Sequence, residues 1–234
     1  MWYKHKIYYK ATSGLGGKNG TATSVQDIDE SRIDLTDMPL KYGADDPGVT
    51  GAFRQASEAF ENKRRESKVE FTNLLDENAD LIVENRGGKN SVKTKVKDFA
   101  RAIVFTHNHP REVGILGGTF SFADIANFAQ FGLGKMRTYR AAAKEGTYSI
   151  TRGKNFDGRG LANYYREVER ACRREHINYM KGCVQQAVEG KLTQSEYEKA
   201  QKASFNRMLI TMHNALLDGQ SRYGYSYTLE RRKK

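Results

Sequence analysis

VFTHNHPREVGILGGTFSFADIANF, residues 104–128, is the stretch of this sequence that decides the fold. It begins inside the apolar run RAIVFT (101–106), which we predict to be a buried central strand. A loop containing Gly117 and Gly118 follows, and Ser121 then opens a predicted helix. The glycine pair lets the loop fold back. We therefore expect the end of the strand and the start of the helix to lie close together.

Two histidines at the end of this strand indicate a metal site. His107 and His109 are two residues apart, and alternate residues of a strand point to the same face. Asp124 can supply a third ligand from the helix, which leaves a fourth position for water, as in catalytic zinc sites. The hydroxyl group of Ser121, one helical turn before Asp124, can face the same cavity. We predict a divalent-metal site, with zinc as the expected ion, formed by His107, His109 and Asp124.

Each half of this pattern also has an ordinary structural explanation. Ser-x-x-Asp at the start of a helix is a common N-terminal cap, and a His-x-His pair on a surface can be incidental. The order of the two motifs after a buried strand favours the metal site. The contiguous letters His-Asn-His do not indicate an HNH nuclease, whose residues are dispersed over a ββα unit. A zinc deaminase needs H-x-E and P-C-x-x-C, which this sequence lacks.

His-x-His-Pro followed by Ser-x-x-Asp resembles the JAB/MPN/JAMM metalloprotease family, and the His-Asn-His-Pro form is similar to the related RadC domain. The resemblance covers roughly residues 50–152. It implies a three-layer α/β fold around a mixed sheet, with zinc bound by His107, His109 and Asp124. The order of the elements is also similar to JAB-like segments at the C-termini of some phage head-morphogenesis proteins.

The family has a glutamate at the start of the first strand after a helix. VEFTNLLD, which follows the helix predicted for residues 51–67, places Glu70 there, although Glu58, Glu61, Glu66 and Glu84 compete for the assignment. The resemblance implies that Glu70 is the general base and that Ser121 stabilises the oxyanion. The family usually has seven residues between the second His and the Ser, whereas eleven stand here, from Pro110 to Phe120. This longer loop is compatible with a bulge or with displacement of the residues that follow it.

The sequence divides into three predicted parts. Residues 1–50 form an irregular N-terminal extension, residues 51–154 a JAB/MPN-like metal-binding domain, and residues 155–234 a helical hairpin. Within the second part we predict two β-hairpins, VEFTNLLD with DLIVENR and RTYRAAA with TYSITRG. Within the third part we predict helices over 161–189 and 194–218, with a capping box formed by Thr193 and Glu196 and with Cys172 and Cys183 too far apart for a disulfide.

The charge distribution limits the partners. The chain carries a net charge of +11, but residues 1–50 carry −1, so the basic residues lie in the remainder, and residues 155–234 have 15 Lys/Arg against 9 Asp/Glu. We expect a protein or peptide substrate, with a nucleic acid or another acidic partner for the basic surface. No run of 18 apolar residues is present, so we expect no membrane partner and a cytoplasmic location, in the host cytoplasm if the protein is encoded by a phage.

Two functions remain open at this point. The resemblance implies a JAMM-type zinc hydrolase that cleaves a peptide or isopeptide bond. The alternative is a non-catalytic JAB-like module that serves phage assembly or nucleic-acid binding through its basic surface. The substrate cannot be inferred from these residues, because function depends on the site more than on the fold.

Overall fold

The computed structural model describes residues 40–89, 91–110 and 115–232. Most of the predicted N-terminal extension, residues 1–39, lies outside the described residues. The helices are α1 (Gly51–Arg64), α2 (Val96–Arg101), α3 (Phe122–Phe131), α4 (Gly158–Val188), α5 (Gln194–Asp218) and α6 (Gln220–Tyr223). The strands are β1 (Phe71–Leu75), β2 (Leu81–Arg86), β3 (Val104–Asn108), β4 (Thr138–Ala142), β5 (Gly146–Arg152) and β6 (Tyr225–Arg231).

The strands form one mixed sheet in the order β2-β1-β3-β4-β5-β6. Only β3 and β4 are parallel, and the other neighbours are antiparallel. Both predicted hairpins are present, as β1–β2 and β4–β5, and the predicted central strand lies between them as β3, with all five of its residues buried. The predicted α/β class with a mixed sheet is therefore confirmed, whereas the specific JAB/MPN fold stays a prediction.

The two faces of the sheet differ in polarity. One face carries apolar side chains such as Phe105, Tyr148 and Leu229, which share a single core with residues of α3, α4 and α5. The opposite face carries polar side chains, and α1 covers it; Glu61 of α1 accepts hydrogen bonds from Arg140 and Thr147 of this face. Because alternate strand residues point to opposite faces, Tyr139 lies in the apolar core while its neighbour Arg140 lies under α1.

Arg140 occupies the centre of a buried charge network on the polar face. Its side chain is fully buried, and it donates to Glu61 at 2.7 Å and to Glu230 at 2.8 Å. Burial alone would lower the pKa of Arg140, but Glu61 and Glu230 raise it above its ordinary value. The guanidinium therefore stays charged and joins α1, β4 and β6, which are far apart in the sequence.

The network also includes the described end of the predicted N-terminal extension. Residues 40–50 have no regular secondary structure, as predicted, but Asp46 is buried and accepts hydrogen bonds from Ser149 at 2.7 Å and Thr151 at 2.6 Å. The backbone N–H of Asp46 donates to Glu230 at 2.6 Å. This segment is thus attached to β5 and β6.

The part of the chain after residue 154 contains the predicted pair of long helices and also a strand that was not predicted. The helices are α4 and α5. The turn between them contains Gly190, whose φ is +72°, and α5 begins with the predicted capping box of Thr193 and Glu196. Cys172 and Cys183 both lie in α4 as free, buried thiols. Residues 225–231, assigned from sequence to the hairpin extension, instead form β6, which pairs with β5 along its whole length.

None of the helices in the described part of the chain is long and apolar enough to cross a membrane.

Replacing Arg140 by methionine should destabilise the protein strongly. The change keeps an unbranched apolar stem but removes the guanidinium that Glu61 and Glu230 share, which leaves these buried carboxylates only Arg65 and Arg54 as cations. Breaking a buried ion pair costs ~3–5 kcal/mol. Urea denaturation followed by circular dichroism measures the change in the free energy of unfolding. The matched control is Arg170→Met, because Arg170 and its partner Glu167 are mostly exposed; there we expect a change within about 0.5 kcal/mol. Equal losses in the two variants would contradict the importance of the network.

A chain that ends at Asp157 should not fold cooperatively. The truncation removes α4, α5 and β6, whose residues Leu161, Leu216 and Leu229 are fully buried in the core shared with the rest of the sheet. We expect loss of the near-ultraviolet circular dichroism signal and of a sigmoidal urea transition, both of which the full chain should show. A cooperative transition in the truncated chain would support the domain boundary predicted from sequence at residue 154.

Candidate metal centre

The candidate ligands meet at the carboxyl end of β3. After β3 the chain runs through a loop and α3 before it returns as the parallel strand β4. In such a unit, ligands bind beyond the carboxyl ends of the parallel strands, where the loops and helix N-termini lie. His107 lies near the end of β3, His109 follows it directly, and Asp124 lies in the first turn of α3. The structure therefore brings together the three residues predicted from sequence.

The distances between the three side chains suit one metal ion. Nε2 of His107 lies 3.0 Å from Nε2 of His109. A carboxylate oxygen of Asp124 lies 3.4 Å from Nε2 of His107, and the other lies 3.9 Å from Nε2 of His109. Two ligand atoms on a tetrahedral zinc ion are about 3.3 Å apart at ordinary bond lengths. The three residues form a group that could hold a metal ion.

The hydrogen bonds of both imidazoles leave their Nε2 atoms free to bind a cation. Nδ1 of His107 donates to the carbonyl oxygen of Arg140 at 2.9 Å, and Nδ1 of His109 donates to that of Gly118 at 2.8 Å. Because a carbonyl only accepts, each Nδ1 carries a hydrogen, and each neutral ring then has a lone pair on Nε2. Two lone pairs and a carboxylate face one another here. They repel unless a proton or metal ion lies among them.

The electrostatics of the group favour neutral histidine and ionised aspartate. Burial lowers the pKa of His107 to about 4, even though the charge of Asp124 acts in the opposite direction. For Asp124, burial opposes ionisation, but His107, His109 and Ser121 together hold its pKa below the ordinary value. A neutral imidazole and a carboxylate are the protonation states that a metal ion binds.

Ser121 fixes the position of Asp124. It is the N-terminal cap of α3, and its hydroxyl accepts from the backbone N–H of Asp124 and donates to the Asp124 carboxylate at 2.7 Å. The backbone N–H of Ser121 donates to the same carboxylate at 2.8 Å. The structure thus shows the N-terminal cap, and this cap is compatible with a metal site because it orients the candidate ligand Asp124. A role of Ser121 toward an oxyanion stays a prediction.

Glu70 lies beside this group. Thr72 of β1 pairs with His107 of β3, so continuing the antiparallel register by two residues places Glu70 opposite His109. The side chain of Asn108 holds this segment on both sides of Glu70, since it accepts from the N–H of Phe71 at 2.7 Å and donates to the carbonyl of Val69 at 3.1 Å. Burial, and then the charge of Asp124, raises the pKa of Glu70 to about 8. Of the competing glutamates, Glu61 and Glu84 form ion pairs with arginines elsewhere.

Tyr139 also lies next to the candidate metal ligands, and the sequence analysis did not identify it. Its ring packs edge-on against His107 with the centroids 5.4 Å apart. Its hydroxyl faces Asp124 and Asn127, and burial, followed by the charge of Asp124, raises its pKa well above the ordinary value. The tyrosine therefore remains protonated and can donate to the Asp124 carboxylate. Its place in the RTYRAAA strand gave no sign of this, because a tyrosine in a strand is usually a core residue.

The loop that is longer than in the resembled family is held by the C-terminal helices and β6. Asn206 of α5 accepts from the backbone N–H of Leu116 at 2.9 Å, and Tyr165 of α4 donates to the carbonyl of Phe120 at 2.6 Å. The hydroxyl groups of Thr119 and Tyr227 are 2.6 Å apart. These contacts, whose donors and acceptors lie far away in the sequence, place Ser121 and Asp124 despite the extra residues.

Comparisons with protein-family models, with curated proteins and with solved structures found no match to this chain. The resemblance to the JAB/MPN/JAMM family therefore rests on the sequence motif and stays a prediction.

The pKa of Glu70 predicts a pH-dependent stability of the metal-free protein. At a pH between 4.5 and 8, a carboxyl group whose pKa is about 8 in the folded state and about 4.5 in the unfolded state takes up a proton from solvent when the chain folds. Its contribution to stability is therefore lost as the pH rises from 4.5 to 8. In chelator-treated protein, the free energy of unfolding should fall relative to Glu70→Gln by on the order of 2 kcal/mol between pH 5 and 8, allowing for partial exposure. Parallel pH curves of the two proteins would contradict the raised pKa.

Proposed function

We propose that this protein is a zinc-dependent hydrolase of the JAMM type, which cleaves a peptide or isopeptide bond. The observation that carries the proposal is the convergence of three ligand atoms, Nε2 of His107, Nε2 of His109 and a carboxylate oxygen of Asp124, beside the separate, partly buried carboxyl group of Glu70. Three protein ligands correspond to the open coordination of catalytic zinc, whereas structural zinc sites have four. When bound, zinc would lower the pKa of a coordinated water toward ~7 and polarise the carbonyl of the substrate.

Glu70 has the position and the proton affinity of a general base. It directly precedes β1, whose Thr72 pairs with His107, the charge of Asp124 acts on its pKa, and it is not one of the three clustered ligands. Burial and the charge of Asp124 raise its pKa to about 8 in the metal-free site. A cation bound by the histidines and Asp124 would lower this pKa again, toward the range in which a glutamate accepts and returns a proton at physiological pH. In this proposal Glu70 takes the proton of the attacking water and delivers it to the leaving amine.

Ser121 and Tyr139 act on the ligand set in the proposed enzyme. Ser121 holds Oδ2 of the Asp124 carboxylate with its hydroxyl and its backbone N–H, so that the other oxygen, Oδ1, faces Nε2 of His107. Stabilisation of the oxyanion by the Ser121 hydroxyl is a further part of the proposal, and it requires the hydroxyl to turn from Asp124 toward the substrate. The Tyr139 hydroxyl faces the same carboxylate from the apolar core.

Metal content and turnover test the proposal with separable outcomes. Purified protein should contain close to one zinc per chain by plasma mass spectrometry, and His109→Ala should lose it. Glu70→Gln should retain zinc but lose roughly 100- to 10,000-fold in turnover, because a general base is not a ligand. The probes are a fluorescence-quenched peptide library and a branched peptide with an isopeptide bond at a lysine side chain.

The matched control is Glu84→Gln, which changes a glutamate of β2 that pairs with Arg64 of α1. It should keep both zinc and turnover. Equal metal content in the parent and in the His107→Ala, His109→Ala double variant would refute the metal centre. Metal-independent, salt-sensitive binding to DNA would instead favour the non-catalytic module, because phosphate contacts weaken as salt rises.

A further inference from the structure

The two histidines of the candidate centre are held by different parts of the chain. The ring of His107 donates to the carbonyl of Arg140, which belongs to the neighbouring strand β4. The ring of His109 donates to the carbonyl of Gly118, which belongs to the loop before α3. A strand in the middle of a sheet is fixed by its ladder of hydrogen bonds, whereas a loop is not. The orientation of His109 therefore depends on what fixes Gly118.

Glu145 fixes this part of the loop. It lies in the turn between β4 and β5, and its two carboxylate oxygens accept from the backbone N–H groups of Gly117 at 2.9 Å and Gly118 at 2.8 Å. The hydroxyl of Tyr148 donates to the same carboxylate at 2.5 Å. A carboxylate that receives several N–H and O–H donors forms strong, charge-assisted hydrogen bonds with defined geometry.

The glycines are required for this close approach. Gly118 has φ +84°, in the region that favours glycine, and a Cβ atom there would lie 2.8 Å from the side chain of Leu209. A Cβ atom on Gly117 would lie 2.8 Å from the side chain of Ala143. The Gly117-Gly118 pair thus lets the loop pass between the β4–β5 turn and α5 while both of its N–H groups point at Glu145.

We infer that Glu145 is a positioning residue for the metal centre, which acts on His109 through the Gly117-Gly118 segment of the loop. The inference rests on the proposed metal site and adds to it a residue outside the motif. Glu145 holds the two N–H groups, the carbonyl of Gly118 then faces Nδ1 of His109, and the lone pair of Nε2 is directed at His107 and Asp124. Partners of this kind, one step away from the ligand, typically change metal affinity by about 10- to 100-fold.

Titration with Co²⁺ tests the inference without any substrate. Glu145→Gln keeps the size of the side chain but places an amide N–H₂ against one of the two glycine N–H groups, so that one hydrogen bond is lost. The metal-free variant should bind Co²⁺ roughly 10- to 100-fold more weakly than the parent, with an altered visible absorption band. Glu84→Gln, which changes a glutamate at the other end of the sheet, should match the parent in both measurements.

Nitrogen-15 chemical shifts of the histidine rings provide a second readout, independent of metal. In the parent at neutral to alkaline pH, His107 and His109 should both carry the hydrogen on Nδ1. In Glu145→Gln, His109 should populate the other tautomer while His107, whose partner is in β4, should not change. A merely structural role of Glu145 would not distinguish between the two rings.

The outcomes separate the inference from the proposed function. If the parent binds Co²⁺ and Glu145→Gln binds it equally well with unchanged His109 shifts, Glu145 has no positioning role and the metal centre stands. If the parent binds no Co²⁺, the proposed function and the inference both fail. If Glu145→Gln does not fold, Tyr148→Phe replaces it; that variant removes one donor to Glu145 and should weaken Co²⁺ binding in the same direction, and unchanged binding would overturn the inference.

Discussion

The rest of the structure depends on the ion pairs that the fully buried guanidinium group of Arg140 forms with Glu61 and Glu230. Its side chain binds Glu61 of α1 and Glu230 of β6 on the polar face of the sheet. Its backbone carbonyl accepts the Nδ1 hydrogen of His107. One residue therefore fixes the packing of the outer elements and the tautomer of a candidate metal ligand. A shift of β4 would change both at once.

Buried charges of this kind favour one arrangement of the chain more than they add to its stability. Removing two or three ions from water costs several kcal/mol each, and their attraction returns that energy only when the geometry and the additional hydrogen bonds are good. Here each arginine on the polar face has a carboxylate partner: Arg54 binds Glu230, and Arg65 lies 3.7 Å from Glu61. A different register of β6 would bury Glu230 without a cation. We infer that the network selects this position of β6 among alternatives of similar hydrophobic burial.

The sequence predicted the elements whose pattern is local. The two hairpins follow from alternation and turn residues, and the start of α3 follows from Ser121 and Asp124. The order of the motifs also predicted the meeting of His107, His109 and Asp124. Strand β6 escaped prediction although Tyr225, Tyr227 and Leu229 alternate with polar residues, because it directly follows a long helical pattern and no separate turn signal was recognised.

The polar face of the sheet could not be predicted from one sequence. Charged residues are almost always exposed, so nothing in the sequence marks Arg140 and Glu230 as buried. Their burial depends on partners more than 75 positions away, which no local window contains. The role of Glu145 could not be predicted either, because a glutamate beside a glycine in a turn is usually a solvated residue. What identifies it is the pair of backbone N–H groups that the fold brings to its carboxylate.

The longer loop and the C-terminal helices are best understood together. A loop with four more residues than the resembled family usually has would lose the fixed position of Asp124 if only its ends were held. Along its described part, residues 115–121, it is instead bound by Asn206 of α5 and Tyr165 of α4. Glu169 of α4 accepts from the N–H of Phe122 at the start of α3. The additional chain length is thus compensated by additional partners, and those partners come from the helices that sequence analysis had set apart from the metal-binding domain. A centre built in this way depends on packing far from the ligands, because every step from α4 and α5 to Asp124 passes through hydrogen bonds that only the complete fold can form.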